Sequence, residues 1–192
     1  MPRNSMNISA KPELIGIAGS FASGKDTIAH ALEADYGFTH VSTGDMVREA
    51  AMRERGSIER PVLFEVADEH RHRDGAGVFV VHALEKPRPL VVTGIRSLGE
   101  AKALKAAGGV LLFIDAPAQV RYERMKARHR DAETELTFEQ FEANEAKEWH
   151  SGETDADFNL RDIKVMADVV MHNVVPLEEF ITDAESRLNL AA

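Results

Sequence analysis

The feature that most constrains this chain is the stretch from Ile15 to Thr27. An apolar strand runs into Gly19 and Gly24 at the spacing of a phosphate-binding loop, and Lys25 precedes an amphipathic helix. Such glycines let backbone N–H groups converge on phosphate oxygens, the helix N-terminus adds partial positive charge, and the lysine reaches the β- and γ-phosphates. The stretch therefore predicts a site for a nucleoside triphosphate, in preference to a glycine-rich turn with a surface lysine.

The last position of the loop departs from the usual pattern. Asp26 stands where G-x-x-x-x-G-K-[ST] has a hydroxyl that ligates magnesium, and Thr27 follows it. We therefore expect Mg²⁺ to be held by Asp26 or Thr27, with Asp26 acting through a water molecule. The loop residues expected to bind the triphosphate are Gly19, Ala22, Ser23, Gly24, Lys25, Asp26 and Thr27.

Composition limits the class of protein and its partners. A length of 192 residues suits one domain, which we expect to span 13–192 after a disordered tail at 1–12. There are no cysteines, which excludes disulfides and thiolate metal sites and fits a reducing cytoplasm. No apolar run is long enough to span a membrane. The net charge of −9 argues against binding of DNA or RNA. We expect small-molecule partners, and the sequence does not predict an oligomeric state.

Apolar runs and amphipathic segments alternate along the chain, which predicts an α/β fold. We expect a three-layer P-loop fold with a central parallel sheet of about five strands and helices on both faces. Parallel strands present their functional loops at their carboxyl ends. Besides the phosphate loop, the predicted loops at that edge are Ser42–Asp45, Thr93–Arg96 and Asn173–Pro176.

Three segments resemble the P-loop nucleoside monophosphate kinases, meaning adenylate kinase and its relatives. Ser42 to Met46, with Arg48, is similar to the adenylate kinase acceptor segment, and Gly24 to Thr27 resembles that family's loop with one change. Gly94 to Arg96 resembles its strand-three stretch, but Thr93 stands where the family has an acid. Dephospho-coenzyme A kinases and phage-type deoxynucleotide kinases share this layout.

The resemblance implies ATP as phosphate donor with Mg²⁺, an acceptor-binding insertion at about 44–88 and a helical lid at about 121–157. Val175 would border the adenine of ATP. The acceptor would contact Thr43, Gly44, Asp45, Arg48 and Arg96. The catalytic residues would be Lys25, Asp45, Arg96, Arg124 and Arg128.

Several charged residues have a second interpretation. Arg48, Arg96 and the arginines of the lid can equally form structural ion pairs or exposed helix faces. Asp45 can be a helix cap. We discount Asp115 as a metal-supporting acid, because that acid belongs on the strand beside the phosphate loop, which we take to be the one ending at Thr93. We interpret the basic run 70–73 as a solvated helix end.

Three functions remain open from the sequence. We expect a nucleoside or deoxynucleoside monophosphate as acceptor, because two arginines suit a phosphate, which needs cations to hold it. The alternative acceptor is the 3′-hydroxyl of dephospho-coenzyme A, for which Asp45 would be the base. A function of another class is that of a P-loop regulatory ATPase or switch.

Overall fold

A computed structural model describes residues 8, 10–127 and 136–190, and it confirms the α/β fold. Five parallel strands form one sheet in the order β2-β3-β1-β4-β5. The strands are β1 (Leu14–Gly19), β2 (Thr39–Ser42), β3 (Leu90–Ile95), β4 (Val110–Asp115) and β5 (Val169–His172). The helices of the described part are α1 (Lys25–Tyr36), α2 (Thr43–Arg55), α3 (Arg60–Asp74), α4 (Val78–Ala83), α5 (Leu98–Ala106), α6 (Ala118–Ala127), α7 (Phe138–Trp149), α8 (Leu160–Met166) and α9 (Leu177–Arg187).

Strand β1 lies at the centre of the sheet, and all six of its residues are buried. It pairs with β3 on one edge and with β4 on the other. Ile15 and Ile17 pack on one face of the sheet, in a cluster with side chains of α1 and α9. Leu14 and Ala18 pack on the other face, with side chains of α5 and α8. Helices therefore cover both faces, as predicted, and hold the turn that follows β1 in one position.

The ends of the described part add two findings. Most of the segment 1–12, predicted to be disordered, lies outside the described residues, but the Ile8 N–H donates to the Arg187 carbonyl oxygen at 2.9 Å. Within 8, 10–127 and 136–190, no helix combines the length and the apolar character that a membrane span needs.

Near the C-terminus the structure corrects the sequence-based elements. Helix α8 was not predicted, although Leu160 and Ile163 are fully buried, because seven residues are too few to show a helical period. The apolar run Ala167–Met171 predicts the last strand from Ala167, but β5 begins at Val169. The helical spacing of Leu177, Phe180 and Ala184 predicts a buried apolar stripe on α9, but Leu177 is 59% exposed.

The basic run 70–73 was predicted to be a solvated helix end, and this is wrong for Arg71. Its side chain is buried, and its Nε donates to Glu100 Oε1 at 3.0 Å. The guanidinium also lies over the ring of Phe158, 4.6 Å from its centroid. Glu100 is fully buried and also accepts the backbone N–H groups of Arg96 and Ser97. This pair joins α3 to the start of α5.

We predict that Glu100→Ala lowers the free energy of unfolding by about 3–5 kcal/mol, because it leaves the buried charge of Arg71 without a partner. The matched control is Glu69→Ala, which breaks an exposed ion pair with Arg55 and should cost less than about 1 kcal/mol. Urea unfolding of both variants measures the difference. Equal losses would contradict the role given to the buried pair.

Candidate functional site

The phosphate loop packs tightly against the ends of its neighbouring strands. Gly19 and Gly24 have φ angles of +142° and +103°, in the region that favours glycine. A Cβ atom on Gly19 would lie 2.0 Å from the Ile114 carbonyl oxygen, and one on Gly24 would lie 2.3 Å from Asn173 Nδ2. Both glycines predicted from the sequence are therefore required by the space around them as well as by the backbone.

Asn173, just after β5, fastens the loop from the side. Its Nδ2 donates to the Ser23 carbonyl oxygen at 2.8 Å, and its backbone N–H donates to the Asp115 carbonyl oxygen at 2.8 Å. Arg124 Nη2 in turn donates to the Asn173 carbonyl oxygen at 3.1 Å. Sequence reasoning noticed the Asn173–Pro176 loop but did not name Asn173 itself. The only signal was its position after a predicted strand.

Two polar groups of the loop are suited to a phosphate. The side chain of Lys25 is buried, and its Nζ donates to the Ser20 carbonyl oxygen at 2.6 Å, so the amine is held over the loop. Ser23 Oγ is buried and has no hydrogen-bond partner among the residues that the structure describes. Because a buried hydroxyl without a partner is costly, this orphan donor indicates that a ligand completes the loop. The loop therefore fits the phosphates of a nucleotide.

A cavity of about 310 Å³ adjoins the loop on the β5 side. It brings together five residues that the sequence assigned to the nucleotide or to catalysis, namely Ala22, Gly24, Thr27, Arg124 and Val175. Leu177 also lines this cavity, which accounts for its exposure, because the first turn of α9 faces the cavity instead of the core. Asp26 lies outside this lining and is exposed on the first turn of α1.

On the opposite side of the loop lies the predicted acceptor segment. Ser42 caps α2 by accepting the Asp45 N–H at 3.2 Å, and Thr43 Oγ1 donates to the Gly94 carbonyl oxygen at 2.8 Å. Asp45 pairs with Arg48 at 2.5 Å in an exposed ion pair. Burial raises the pKa of Asp45, but the hydrogen bonds from Arg48 and Ser42 and the charge of Arg48 outweigh it and hold the pKa below its usual value. Asp45 is therefore a weak base.

Thr93, at the end of β3, stands where the nucleoside monophosphate kinases have an acid, and it is buried. Thr93 Oγ1 lies 3.0 Å from Nε2 of His40, a half-buried ring. Burial lowers the pKa of His40, with a further contribution from the charge of His30. The end of β3 therefore carries a neutral polar pair instead of a carboxylate.

Asp115 is closer to the phosphate loop than the sequence analysis assumed. It was discounted because the acid should lie on the strand next to the loop, but β4 pairs with β1 as β3 does. Ser20 Oγ donates to Asp115 Oδ1 at 3.4 Å, and Lys164 Nζ donates to Oδ2 at 2.8 Å. That reason for discounting Asp115 is therefore wrong, because β1 has two parallel neighbours.

The arginines predicted for the lid differ in their positions. Arg121 is buried and forms structural contacts: it pairs with Glu145, and its Nε donates to the Ala116 carbonyl oxygen at 2.6 Å. Arg124 lines the cavity on the β5 side. Arg128 lies outside the described residues. Arg96, at the end of β3, forms an ion pair with Glu148, and its Nη1 lies 2.6 Å from Glu148 Oε2.

The sheet order and the loop geometry define a P-loop protein with the fold of P-loop kinases. The family described as "AAA domain" matches residues 15–150, and the chain belongs to this family. No curated protein sequence matches the chain.

Solved structures share the fold over nearly the whole chain. A shikimate kinase from Bacteroides thetaiotaomicron superposes with a TM-score of 0.63 at 12% identity, covering 93% of this chain and 99% of its own. The protein TT1252 from Thermus thermophilus has a TM-score of 0.58 at 22% identity, with coverages of 95% and 100%. A gluconokinase from Sinorhizobium meliloti 1021 has a TM-score of 0.55 at 17% identity, with 93% of both chains covered. At these low sequence identities, the similarity establishes a shared fold alone.

We predict that Gly24→Ala abolishes ATP binding, because the new methyl group would collide with Asn173 and shift the loop. The matched control is Gly37→Ala: Gly37 also has a positive φ, +69°, but a Cβ atom there would have no atom of the described chain within 4 Å. Both variants incur a backbone cost for a positive φ, on the order of 1–2 kcal/mol, and Gly37 lies at the far end of α1 from the loop, so the control separates a loss of stability from a disturbance of the loop. Calorimetric titration with Mg-ATP measures the affinity. Equal affinities of the two variants would contradict this account of the loop.

Proposed function

We propose that this protein is an ATP-dependent phosphotransferase that moves the γ-phosphate of ATP to a nucleotide-like acceptor. The observation that carries the proposal is the sheet order. The cavity beside β5 and the segment after β2 lie on opposite sides of the central phosphate loop. Transfer between two bound molecules needs a site for each on either side of the moving group. A protein that only hydrolysed ATP would need no second site.

The chain's own residues would act by positioning and by charge. Lys25 would neutralise charge that develops on the transferred group, and the phosphate loop would orient the donor through its backbone N–H groups. Arg124 and Val175 would line the nucleoside of ATP. Asp26 or Thr27 would hold Mg²⁺, which when bound would supply positive charge that offsets the charge of the donor phosphates. Closure of the lid, about 121–157, would exclude water.

A phosphate-bearing acceptor is favoured over an alcohol. An alcohol needs a general base, whereas a phosphate needs cations. Asp45 is paired with Arg48, and this pairing keeps its pKa low, which makes it a poor base for a hydroxyl. Arg48 and Arg96 supply guanidinium groups near the ends of β2 and β3. We therefore propose a nucleoside or deoxynucleoside monophosphate, ahead of dephospho-coenzyme A. The names of the similar structures, shikimate kinase and gluconokinase, do not select either acceptor.

We predict that Lys25→Ala lowers phosphoryl transfer by at least about a hundredfold while the fold persists, because charge stabilisation of the transition state is lost. Lys102→Ala is the control: this lysine is exposed and pairs with Asp155, so its removal should leave turnover unchanged. A coupled assay of ADP formation, together with circular dichroism, measures both effects. Full activity of Lys25→Ala would contradict the proposed role of the loop.

A second prediction concerns the acceptor. Arg48→Ala should raise the KM for the monophosphate by about tenfold or more with little change in the KM for ATP, because a charge-assisted hydrogen bond to phosphate is lost. Asp45→Asn should change kcat and the KM for the monophosphate only slightly. Steady-state kinetics with each substrate varied measures the two constants. A collapse of kcat in Asp45→Asn, with activity on dephospho-coenzyme A and on no monophosphate, would favour the alternative acceptor.

A further inference from the structure

A buried carboxylate joins two arginines near the phosphate loop. Glu148, on α7, has a side chain that is only 2% exposed. Its Oε1 accepts from Arg60 Nη2 at 2.5 Å, and its Oε2 lies 2.6 Å from Arg96 Nη1. The two arginine side chains are 26% and 27% exposed. Because the carboxylate is buried and the guanidinium groups are partly accessible, Glu148 lies behind the arginines instead of blocking them.

Arg60 connects the predicted acceptor-binding insertion to the phosphate loop. It is the first residue of α3, and its guanidinium carbon lies 4.7 Å from the ring centroid of Phe21, a residue of the loop. Arg60 Nε is buried and has no hydrogen-bond partner within the described part of the chain. Neither Arg60 nor Glu148 was singled out from the sequence. Their association depends on residues 88 positions apart, so no local pattern reveals it.

The cluster carries an excess of positive charge. Burial raises the pKa of Glu148, but the charges of Arg96, Arg60 and Lys25, with a hydrogen bond from Arg96, outweigh it and keep the pKa below its usual value. Glu148 is therefore ionised at neutral pH and offsets one of the two guanidinium charges. Lys25 belongs to the phosphate loop, so the two arginines and Glu148 together keep an excess of about one positive charge, which favours an anion. The donors of two guanidinium groups suit the three acceptor oxygens of a phosphate monoester better than the two of a carboxylate group.

We propose that Arg60 and Arg96, oriented by Glu148, form a second phosphate-binding site that takes the phosphate monoester of the acceptor. Arg60 is a substrate-binding residue, and Glu148 is a positioning residue that acts through both guanidinium groups. The source of the phosphate rests on the proposed function, but the site itself does not. A guanidinium fixed by one carboxylate retains donors on its other edge, and fixed donors bind an anion with less loss of side-chain entropy.

The probe for this site is methyl phosphate, titrated calorimetrically into protein whose phosphate loop is already filled by a non-hydrolysable Mg-ATP analogue. We expect saturable binding of methyl phosphate and much weaker binding of acetate. Arg60→Ala should weaken methyl phosphate binding by about tenfold or more. The matched control is Arg55→Ala, because Arg55 forms an exposed pair with Glu69 on the same insertion and should leave the affinity unchanged. Wild-type affinity in Arg60→Ala would overturn the site.

Glu148→Gln tests the positioning role by the sign of its effect. If Glu148 acted only as a negative charge, its removal would strengthen anion binding. Because we assign it the orientation of two arginines, we expect methyl phosphate to bind several-fold more weakly. Tighter binding would overturn the role of Glu148. Binding of the ATP analogue verifies that the variant is folded. If Glu148→Gln does not fold, Arg60→Lys decides, because it keeps the charge but loses the planar fork and should also bind more weakly.

Failure of the site and failure of the proposed function give different results. Methyl phosphate binding needs no turnover, so binding that depends on Arg60, without phosphoryl transfer to any acceptor, would leave the site and remove the function. If Arg60→Ala still transfers phosphate to a monophosphate with an unaltered KM, the proposed function stands and the site is overturned. The two possible sources of phosphate also separate: loss of affinity for the ATP analogue in Arg60→Ala, with methyl phosphate binding unaltered, would assign Arg60 to the donor and overturn the proposal.

Discussion

The burial of β1 between two parallel neighbours is the constraint on which the rest of the structure depends. The strand is hydrogen-bonded on both edges and covered by helices on both faces, so the turn that leaves it has little freedom. Gly19 is needed because the backbone of β4 at Ile114 lies too close for a side chain, and a side chain on Gly24 would collide with the side chain of Asn173. The fold thus builds the phosphate loop before any ligand arrives, and pre-formed backbone donors lose little entropy on binding.

Long-range polar contacts hold the surrounding segments around this loop. Asn173 fastens it from the side of β5 through the Ser23 carbonyl oxygen. On the other side, Glu148 joins α7 to Arg60 and to Arg96. A buried ion pair adds little net stability, but the loss of one partner is costly, so such contacts specify an arrangement of the segments more than they stabilise it. Here they set the positions of the guanidinium groups relative to Lys25.

Local patterns in the sequence predicted the layers, the five strands and the phosphate loop, because each depends on neighbouring residues. The apolar runs of β3 and β4 belong to this group. What could not be predicted involves distant pairs or short elements. Helix α8 is a short element of this kind. Asp115 was set aside as a metal-supporting acid because the prediction allowed β1 only one neighbouring strand, β3, whereas β4 also pairs with it. Arg71 was interpreted as a solvated charge and Arg60 was not singled out, since their carboxylate partners lie far along the chain.

The central claim is that the loop serves transfer to a second bound molecule. Its most direct test is ADP formation by the purified protein from Mg-ATP, alone and with a panel of nucleoside monophosphates, deoxynucleoside monophosphates and dephospho-coenzyme A, with products identified by mass spectrometry. The account predicts slow hydrolysis alone and a marked acceleration by at least one monophosphate, with a diphosphate as product. Fast hydrolysis of ATP without acceptor, unaffected by every member of the panel, would contradict it and favour a regulatory ATPase or switch.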